Sequence, residues 1–564
     1  MACAELHTPY FFVKFAKYNC RKIKNMDSIP TKMEGYAIGQ QDFRQLRKIG
    51  AIYVDKTIFI EKVIKSKSQY VFLARPRRFG KSLFLSALRY FFEGRRELFK
   101  GLYIDSTDLN WEAYPVLYLD LNTGNYDEGQ SLDSTLESLF RDWEREYGVT
   151  EIAPDHSQRF RKIIEAAHNK TGKEVVILVD EYDKPLVRNI NKSKNFEIYR
   201  SALASFYSNF KSSAEHIRLV FLTGVSRFSK LSVFSDLNNL EDITFSNEYA
   251  DICGITEKEL TEYLKDGISK LAMKASLDYN GALRKLKRSY DGYRFAEEGS
   301  DIYNPWSLLN AMKRSEIEDY WNETGIPTVV GDSLKRTNAD LEATFNSYCK
   351  PSDLKGLDLL NPNPTALLYQ TGYLTIKKYI KRLNQIRLGI PNSEVKRGLY
   401  DILLPFYVAC KSVTPNQLVL NLVRYFYEGD ADKAMKELQA YFAGIDYKMK
   451  IENENNFHNA FYLLTDLIGL DSETEVHTSD GSIDLKIATD DYIYIIELKY
   501  DHSAEDALRQ IEEKQYYRPW QSKGKEIILV GAAFSSKTRR IETWKIKKLI
   551  QDYIAYDETD PPKK

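Results

Sequence analysis

The sequence is poor in cysteine and contains no long apolar run. Its 564 residues include 5 cysteines, which are scattered along the chain without a Cys-x-x-Cys pair. This pattern argues against a disulfide framework or a zinc site and favours a reduced, cytoplasmic protein. No apolar stretch approaches the roughly 20 residues of a membrane helix, and no small-residue cleavage site follows an apolar core. We therefore expect neither a membrane span nor a signal peptide.

The chain also lacks net charge, with 80 Lys and Arg against 80 Asp and Glu, which excludes a uniformly basic nucleic-acid coat protein. The balance is uneven, however. Residues 41–100 hold 15 basic and 5 acidic side chains, a net +10, whereas residues 451–550 hold 13 and 18, a net −5. With 43% hydrophobic and 28% charged residues, the composition is that of a globular protein, and the length predicts several domains.

The first part of the chain, from about residue 45 to 250, alternates short apolar runs with helical stretches. The runs are Tyr70–Ala74, Val116–Leu121, Val175–Val179 and Leu219–Thr223. Apolar strands joined by helices are typical of a parallel sheet that is buried on both faces. The sequence therefore predicts an α/β fold with helices on both faces of the sheet.

Later segments are predicted from local signals. Thr256 and Glu259 form a capping box at the start of a helix, and Asn304-Pro305 opens another helix. Two short runs, 373–378 and 385–388, are predicted to pair as a hairpin, with Ser393 capping the next helix. Residues 415–444 are predicted as two helices separated by Gly429-Asp430.

The segment Gly80-Lys81-Ser82 lies between an apolar strand and an amphipathic helix that Gly94 ends. This is the context of a phosphate-binding P-loop, because backbone N–H groups at a helix start lack partners and attract anions. We expect Lys81 to reach the β- and γ-phosphates of ATP and the Ser82 hydroxyl to bind Mg²⁺.

The loop departs from the full P-loop pattern at one position. Arg75 stands five residues before Gly80, where the pattern has glycine. Arg75, Arg77 and Arg78 are expected to add positive charge near the phosphates, and Phe79 completes the candidate nucleotide-binding loop.

Polar residues follow two of the predicted strands. Asp180 and Glu181 end one apolar run, as in a Walker B strand, where the first acid holds Mg²⁺ through water and the second orients the attacking water. Thr223 ends the next run, where it is placed to sense the γ-phosphate.

Five segments together resemble the AAA-ATPase-like proteins of bacteria and archaea. They are Tyr53–Thr57, Arg75–Ser82, Asp180–Asp183, Leu222–Val225 and Tyr303–Ser307. The resemblance extends from about residue 34 to 550. It implies a P-loop ATPase followed by a restriction-endonuclease-like α/β domain of the PD-(D/E)xK class. Arginine at position 75 is usual in that family.

The acidic C-terminal part contains a predicted hairpin around Asp490-Asp491. A turn centred between these residues pairs Asp484 with Glu497, and Lys499 projects from the same face as Glu497. Facing carboxylates repel unless a cation lies between them, and their oxygens suit Mg²⁺ or Mn²⁺. Lys499 is expected to position the attacking water.

Residues on both sides of the hairpin extend this candidate site. Glu454 precedes an amphipathic helix and is the expected third metal ligand, with Glu452 as the competing candidate. A predicted helix from about Ala504 places Gln510 and Lys514 on one face, where they could approach the substrate phosphates. These positions match the motif of the nuclease-like domain that the resemblance implies.

The predicted regions are an N-terminal extension (1–33), a P-loop domain (34–255), a helical lid (256–370), a linker region with hairpin and helices (371–450), the nuclease-like domain (451–550) and a tail (551–564). The expected function is ATP binding and hydrolysis coupled to a Mg²⁺-dependent nuclease that acts on DNA. The alternative is a nucleotide-dependent switch whose nuclease-like domain binds without cutting. The sequence leaves the oligomeric state and the choice between DNA and RNA open.

Overall fold

The computed structural model divides into two compact units. The first comprises Met1–Ile326 and Phe345–Lys396, and the second comprises Pro327–Thr344 and Arg397–Lys564. Within these bounds, the structure describes residues 29–30, 32–124, 126, 131–189, 193–226, 239–321, 327–354, 356, 363–407, 415–443, 459–460, 462–464, 471–478, 481–535, 537–538 and 540–549. The predicted hairpin thus falls in the same unit as the P-loop, whereas the predicted lid is divided, because its residues 327–344 belong to the second unit.

The first unit is built around a parallel sheet of five strands. They are β1 (Tyr70–Ala74), β2 (Val116–Asp120), β3 (Val175–Asp180), β4 (Ile217–Gly224) and β5 (Glu241–Asp242), in the order β2-β3-β4-β1-β5. The four predicted strands are confirmed to within two residues at each end. Strand β5 was not predicted, because it consists of two acidic residues and carries no apolar pattern.

Strands β1 and β3 are buried along their whole length. Because successive side chains of a strand point to opposite faces, complete burial means that both faces of the sheet are covered. The prediction of a doubly covered parallel sheet is therefore confirmed. The polar residues that follow β1, β3 and β4 emerge at the carboxyl-terminal edge of this sheet, where open α/β folds bind ligands.

The helices that precede or flank this sheet in the sequence are Phe43–Lys48, Ile58–Ser66, Lys81–Phe92, Ser131–Tyr147, His156–Thr171, Lys184–Val187 and Ser193–Ser212. Further helices of the first unit are Glu257–Tyr263, Lys265–Lys274, Tyr279–Tyr290, Pro305–Arg314, Pro351–Leu354 and Pro364–Thr371. Every helix in the described part of the chain is too short or too polar to cross a membrane.

The segment after the parallel sheet forms a helical cluster with its own apolar core. It begins with β6 (Ile255–Thr256), which pairs antiparallel with β7 (Ile302–Tyr303). The predicted capping box is confirmed, since the Glu259 N–H donates to Thr256 and the Glu259 carboxylate accepts from the Thr256 N–H. Asn304 also caps the helix that starts at Pro305, as predicted.

A three-stranded antiparallel sheet contains the predicted hairpin. Its strands are β8 (Tyr348–Cys349), β9 (Thr375–Ile380) and β10 (Gln385–Gly389), in the order β8-β10-β9. The predicted cap at Ser393 is wrong. Ser393 is the first residue of the helix Ser393–Tyr407, and the side chain of Asn392 accepts the Val395 N–H at 3.0 Å.

Glu394, next to that cap, is a buried carboxyl group. Its Oε1 accepts the backbone N–H groups of Tyr320 and Trp321 at 2.6 and 2.9 Å. Burial, with a smaller contribution from Asp319, raises the pKa of Glu394 to about 7 against three opposing hydrogen bonds. The folded protein therefore holds a proton here that the unfolded chain releases above its ordinary pKa of 4.5.

This proton predicts a pH-dependent stability. Because the folded state binds more protons than the unfolded state between about pH 4.5 and about pH 7, stability should fall as the pH rises through that window. Glutamine cannot ionise, so the Glu394→Gln variant should gain thermal stability relative to wild type across the same window. Unfolding temperatures measured by scanning fluorimetry at several pH values test this. A difference between the two proteins that does not change with pH would contradict it.

The second unit contains a mixed sheet in the order β11-β12-β13-β14-β15. Its strands are β11 (Asp471–Thr478), β12 (Gly481–Ala488), β13 (Tyr492–Tyr500), β14 (Glu526–Ser535) and β15 (Arg540–Leu549). Only β13 and β14 are parallel. The remaining helices are Pro327–Arg336, Leu341–Phe345, Ser393–Tyr407, Pro415–Tyr427, Ala431–Ala443 and Ala504–Glu513, and the predicted break at Gly429-Asp430 is confirmed.

Candidate functional sites

The P-loop connects β1 to the helix Lys81–Phe92. Gly80 caps this helix with φ of 100°, in the left-handed region that favours glycine, and a Cβ at this position would meet no atom within 4 Å. Glycine is therefore favoured here by its backbone conformation and not by a lack of space for a side chain. Because the first N–H groups of a helix lack intrahelical partners, the start of this helix beside the carboxyl edge of the sheet is a favourable place for phosphate.

Lys81 lies buried at the base of this loop. Its Nζ donates to the carbonyl oxygens of Arg75 and Pro76 at 3.1 and 3.3 Å and forms an ion pair with Glu181 Oε1 at 3.2 Å. The structure thus brings together the predicted phosphate-binding lysine and the second acid of the Walker B strand.

Thr223 joins the two acids of the Walker B strand. Its hydroxyl donates to Asp180 Oδ1 at 2.5 Å and accepts the Glu181 N–H at 3.4 Å. Burial raises the pKa of Asp180, as does Glu181, while hydrogen bonds from Ser82 and Thr223 oppose the rise. Ser82, Asp180 and Thr223, all predicted as site residues, therefore form one hydrogen-bonded group.

Glu181 has an unusual backbone conformation, with φ of 54°. Such a conformation costs roughly 1–3 kcal/mol in a non-glycine residue and persists only when its surroundings enforce it. Asp183 supplies part of that support by accepting the N–H groups of Val225 and Ser226 at 3.0 and 2.8 Å and the Ser226 hydroxyl at 2.8 Å. These bonds tie the turn after β3 to the end of β4. Asp183 belongs to the Asp180–Asp183 segment, but nothing in the sequence indicated this role for it.

The ionisation of Glu181 is decided by opposing effects. Burial favours the protonated form, but the charges of Lys81 and Arg77 together lower the pKa of Glu181 below its ordinary value. Glu181 is therefore a buried carboxylate that stays charged at neutral pH. A charged carboxylate at this position can accept a proton from water.

Arg75 is placed differently from our prediction. It is 1% exposed, and its guanidinium donates to the carbonyl oxygens of Ala74, Thr244 and Tyr249 at 2.8–3.0 Å while lying over the Phe295 ring. The expectation that its charge faces the phosphates is wrong for this geometry. The Arg75 hydrogen bonds instead connect the start of the loop to the segment that follows β5. Glycine, which has no side chain, could not form them.

The other loop residues are two arginines and a phenylalanine that border the cavity above the loop. Arg77 lines the cavity above the loop. Arg78 lines it too, and its guanidinium stacks on the Trp306 ring at 3.7 Å and donates to the Tyr320 carbonyl at 3.2 Å. Phe79 also borders the cavity, but its ring is buried and packs edge-on against the Tyr293 ring. Arg77 and Arg78 thus lie at the cavity, and their role beside the phosphates stays a prediction.

A cavity of about 590 Å³ opens over the P-loop, within the size range of small-molecule sites. Seven of its lining residues were predicted as site residues, namely Arg77, Arg78, Phe79, Gly80, Lys81, Ser82 and Glu181. The other walls had no role predicted from the sequence. They include Gln40, Gln41, Tyr53, Asn122, Lys184, Ile252, Ile255, Pro305 and Trp306. The motifs that contain Tyr53 and Trp306 were the sequence signals that could have identified these walls. The mixture of apolar walls and a charged base fits a nucleoside triphosphate.

The carboxylate hairpin of the second unit has the predicted register. Leu485 pairs with Ile496 and Ala488 with Ile493, the spacing that places Asp484 opposite Glu497. Asp484 Oδ2 accepts the N–H of Leu498 at 2.7 Å, which fixes the carboxylate at this end of the ladder.

Glu497 is the centre of this second site and is 2% exposed. Its Oε1 accepts from Lys499 Nζ at 3.1 Å and from Gln510 Nε2 at 2.5 Å. Burial, followed by the charge of Asp484, raises the pKa of Glu497 to about 7 despite Lys499. Its buried Oε2 has no hydrogen-bond partner among the described residues. An orphaned buried carboxylate oxygen beside a second carboxylate is a suitable ligand for a cation.

The helix Ala504–Glu513 brings Gln510 to Glu497. Gly531, the β14 neighbour of Glu497, makes this approach possible because a Cβ there would lie 2.4 Å from the Leu508 nitrogen. Lys514 is the residue just after this helix, and its side chain is exposed. Its proposed contact with substrate phosphates stays a prediction.

The residues present fit a hard divalent cation, although the ligand set is incomplete. Asp484 and Glu497 supply oxygen ligands, whereas Glu454 and its competitor Glu452 lie outside the described residues. Within the described ranges, no three His, Cys, Asp or Glu side chains gather in a metal-binding group. Mg²⁺ commonly takes one or two carboxylates together with waters and substrate oxygens, so two carboxylates are compatible with it.

Comparison with known families agrees with this division of sites. Residues 37–234 match the family described as predicted AAA-ATPase, and residues 452–544 match the PD-(D/E)XK nuclease superfamily. The chain belongs to the family of AAA-ATPase-like proteins with a C-terminal domain of the PD-(D/E)XK nuclease superfamily.

Similar proteins include one from Azotobacter chroococcum mcd 1, described as an uncharacterized protein in the vnfD 5' region. It is 32% identical over 524 residues, which cover 91% of this chain and 98% of that protein. The chain is also similar to a structure of the Aeropyrum pernix ORC2 protein in ADPNP-ADP complexes, at 10% identity and a TM-score of 0.22. That match covers 68% of this chain and 97% of ORC2.

Proposed function

We propose that this protein binds and hydrolyses ATP and cleaves DNA in a Mg²⁺-dependent reaction. The observation that carries the proposal is that each unit holds a charged site around a buried glutamate. Glu181 faces Lys81 under the P-loop cavity, and Glu497 faces Asp484, Lys499 and Gln510 in the nuclease-like domain. A cytoplasmic location is part of the proposal and is supported by the free thiols of Cys253 and Cys349.

In the ATPase-like unit, each residue would have a separate task. The backbone N–H groups after Gly80 would bind phosphate oxygens, and Lys81 would exchange its partner Glu181 for the β- and γ-phosphates. Ser82 and Asp180 would hold the Mg²⁺ that accompanies ATP. Glu181, already charged, would orient the attacking water and take its proton.

In the nuclease-like domain, Asp484 and Glu497 would hold Mg²⁺ or Mn²⁺ through their oxygens. A bound cation would polarise the scissile phosphate and lower the pKa of its water. Lys499 would position that water and balance the negative charge that develops on the phosphate. Gln510 would keep the Glu497 carboxylate oriented through its 2.5 Å hydrogen bond.

The second candidate is a nucleotide-dependent switch whose nuclease-like domain binds without cutting. The net −5 of residues 451–550 favours it, because an acidic domain repels the nucleic-acid backbone until a cation is bound. ATP turnover that is indifferent to DNA, together with no cleavage of any substrate, would support this function.

One experiment distinguishes the two functions. Circular DNA, linear DNA and RNA are each incubated with the full-length protein, with and without Mg²⁺ and ATP. The Lys499→Ala variant tests the cleavage site, since Lys499 is 29% exposed and its loss should spare the fold. We expect Mg²⁺-dependent cleavage of DNA by the wild type and a loss of about 10²–10³-fold in the variant. Equal cleavage by both proteins would show that the proposed site does not cleave DNA.

A further inference from the structure

The three-stranded sheet of the first unit has one buried and one exposed face. Ile376, Ile386 and Leu388 are fully buried on one face. On the other face Lys378 and Arg387 are exposed, and Tyr348 is 57% exposed. Antiparallel sheets often cover one face and present the other to solvent, but the outer face usually mixes charges of both signs.

The exposed face is built as a row across the sheet. Arg387 on β10 pairs with Tyr348 on β8 and with Lys378 on β9, so the three side chains lie side by side. Lys350, the residue directly after β8, is also exposed. Two positive charges in directly paired positions destabilise a sheet. This arrangement is therefore unfavourable for stability unless an anion offsets it.

The hairpin that carries this row has no acidic residue. From Thr375 to Gly389 it contains five Lys or Arg side chains and no Asp or Glu. Lys378, Arg382 and Arg387 form no side-chain hydrogen bond or ion pair in the described part of the chain. Lys381 differs because it pairs with Glu298, and Lys377 donates to the Pro391 carbonyl at 2.9 Å. Three cations are thus left to face solvent on or beside the exposed face.

We propose that this basic face, defined by Tyr348, Lys378 and Arg387, binds a single strand of DNA. Exposed lysine and arginine side chains bind backbone phosphates, and an exposed aromatic ring stacks on an unpaired base. The basic face lies in the ATPase-like unit, outside the nuclease-like domain. Binding here requires neither ATP hydrolysis nor DNA cleavage.

The test measures binding of the full-length protein to a fluorescein-labelled oligothymidylate by anisotropy, over a series of KCl concentrations. EDTA is present and ATP is absent, so neither proposed reaction proceeds. In the Lys378→Gln/Arg387→Gln variant, we expect the slope of log K against log salt to become shallower by about 1.4, because each phosphate contact on a single strand contributes about 0.7. Tyr348→Ala should weaken binding by about 5- to 150-fold with an unchanged slope.

A matched control carries the same charge change elsewhere in the first unit. Lys270 and Lys285 are exposed on two helices, and the Lys270→Gln/Lys285→Gln variant should bind with the wild-type slope. An equal loss in this control would overturn the proposal, as would a wild-type slope in the sheet variant. The proposal would also be overturned if the protein bound duplex DNA more tightly than a single strand and the Tyr348→Ala substitution left that affinity unchanged. A changed oligomeric state of the sheet variant with unchanged DNA binding would assign the face to a second copy of the chain instead.

Discussion

Replacing Glu181 with glutamine is expected to lower ATP turnover by about 10²–10⁴-fold while leaving ATP binding intact. Glutamine keeps the size of the side chain and can still accept a hydrogen bond from Lys81, but it cannot take a proton from water. The position is sensitive because Glu181 is held in a left-handed backbone conformation and kept charged by Lys81 and Arg77. Phosphate release measures turnover, and a fluorescent ATP analogue measures binding.

The control for this substitution is Glu262→Gln, at an exposed helical position of the same unit. It should match the wild type in both assays. If Glu181→Gln turns over ATP as fast as the wild type, the assignment of Glu181 as the proton acceptor is wrong. If it loses ATP binding as well, the carboxylate acts in holding the nucleotide site together rather than in catalysis.

The Glu497→Gln substitution should remove both DNA cleavage and the stabilisation of the protein by Mg²⁺. A ligand that binds only the folded state raises its stability, so Mg²⁺ should increase the unfolding temperature of the wild type. Glutamine lowers the negative charge of the Asp484–Glu497 pair and places an amide where the orphaned carboxylate oxygen lies. Thermal unfolding with and without Mg²⁺ therefore reports on the site even when no cleavable substrate is present.

Glu513→Gln is the matched control for the second unit, because Glu513 lies at the exposed end of the same helix as Gln510. We expect this variant to retain the Mg²⁺-dependent increase. A Glu497→Gln protein that is stabilised by Mg²⁺ as strongly as the wild type would show that the cation binds elsewhere. DNA cleavage would then have to be assigned to residues other than the Asp484–Glu497 pair, whatever the outcome of the ATPase assays.

Local patterns were sufficient to predict most of the fold. The apolar run Tyr70–Ala74 matches β1 residue for residue, and the turn centred at Asp490-Asp491 predicted the observed register of β12 and β13. Both signals arise from neighbours in sequence, namely complete burial of a strand and the geometry of a tight turn. For the same reason, the pairing of Asp484 with Glu497 could be predicted without a structure.

Features that depend on distant parts of the chain could not be predicted in this way. Arg75 was expected at the phosphates because of its charge, but carbonyl oxygens as far away as Tyr249 bind it. The support that Asp183 gives to the turn of Glu181 involves Val225 and Ser226, which lie on another strand end. Nothing in the sequence near either residue signals these bonds.

Gly531 sets a strict limit on sequence variation in the nuclease-like domain. It neighbours Glu497 on the adjacent strand, and the helix backbone lies 2.4–2.5 Å from where any β-carbon would be. Even alanine would have to push the helix outward, and Gln510 would move with it. In a library that varies every position of this domain, residue 531 should tolerate only glycine among variants that keep the site, although it contributes no side chain to the chemistry.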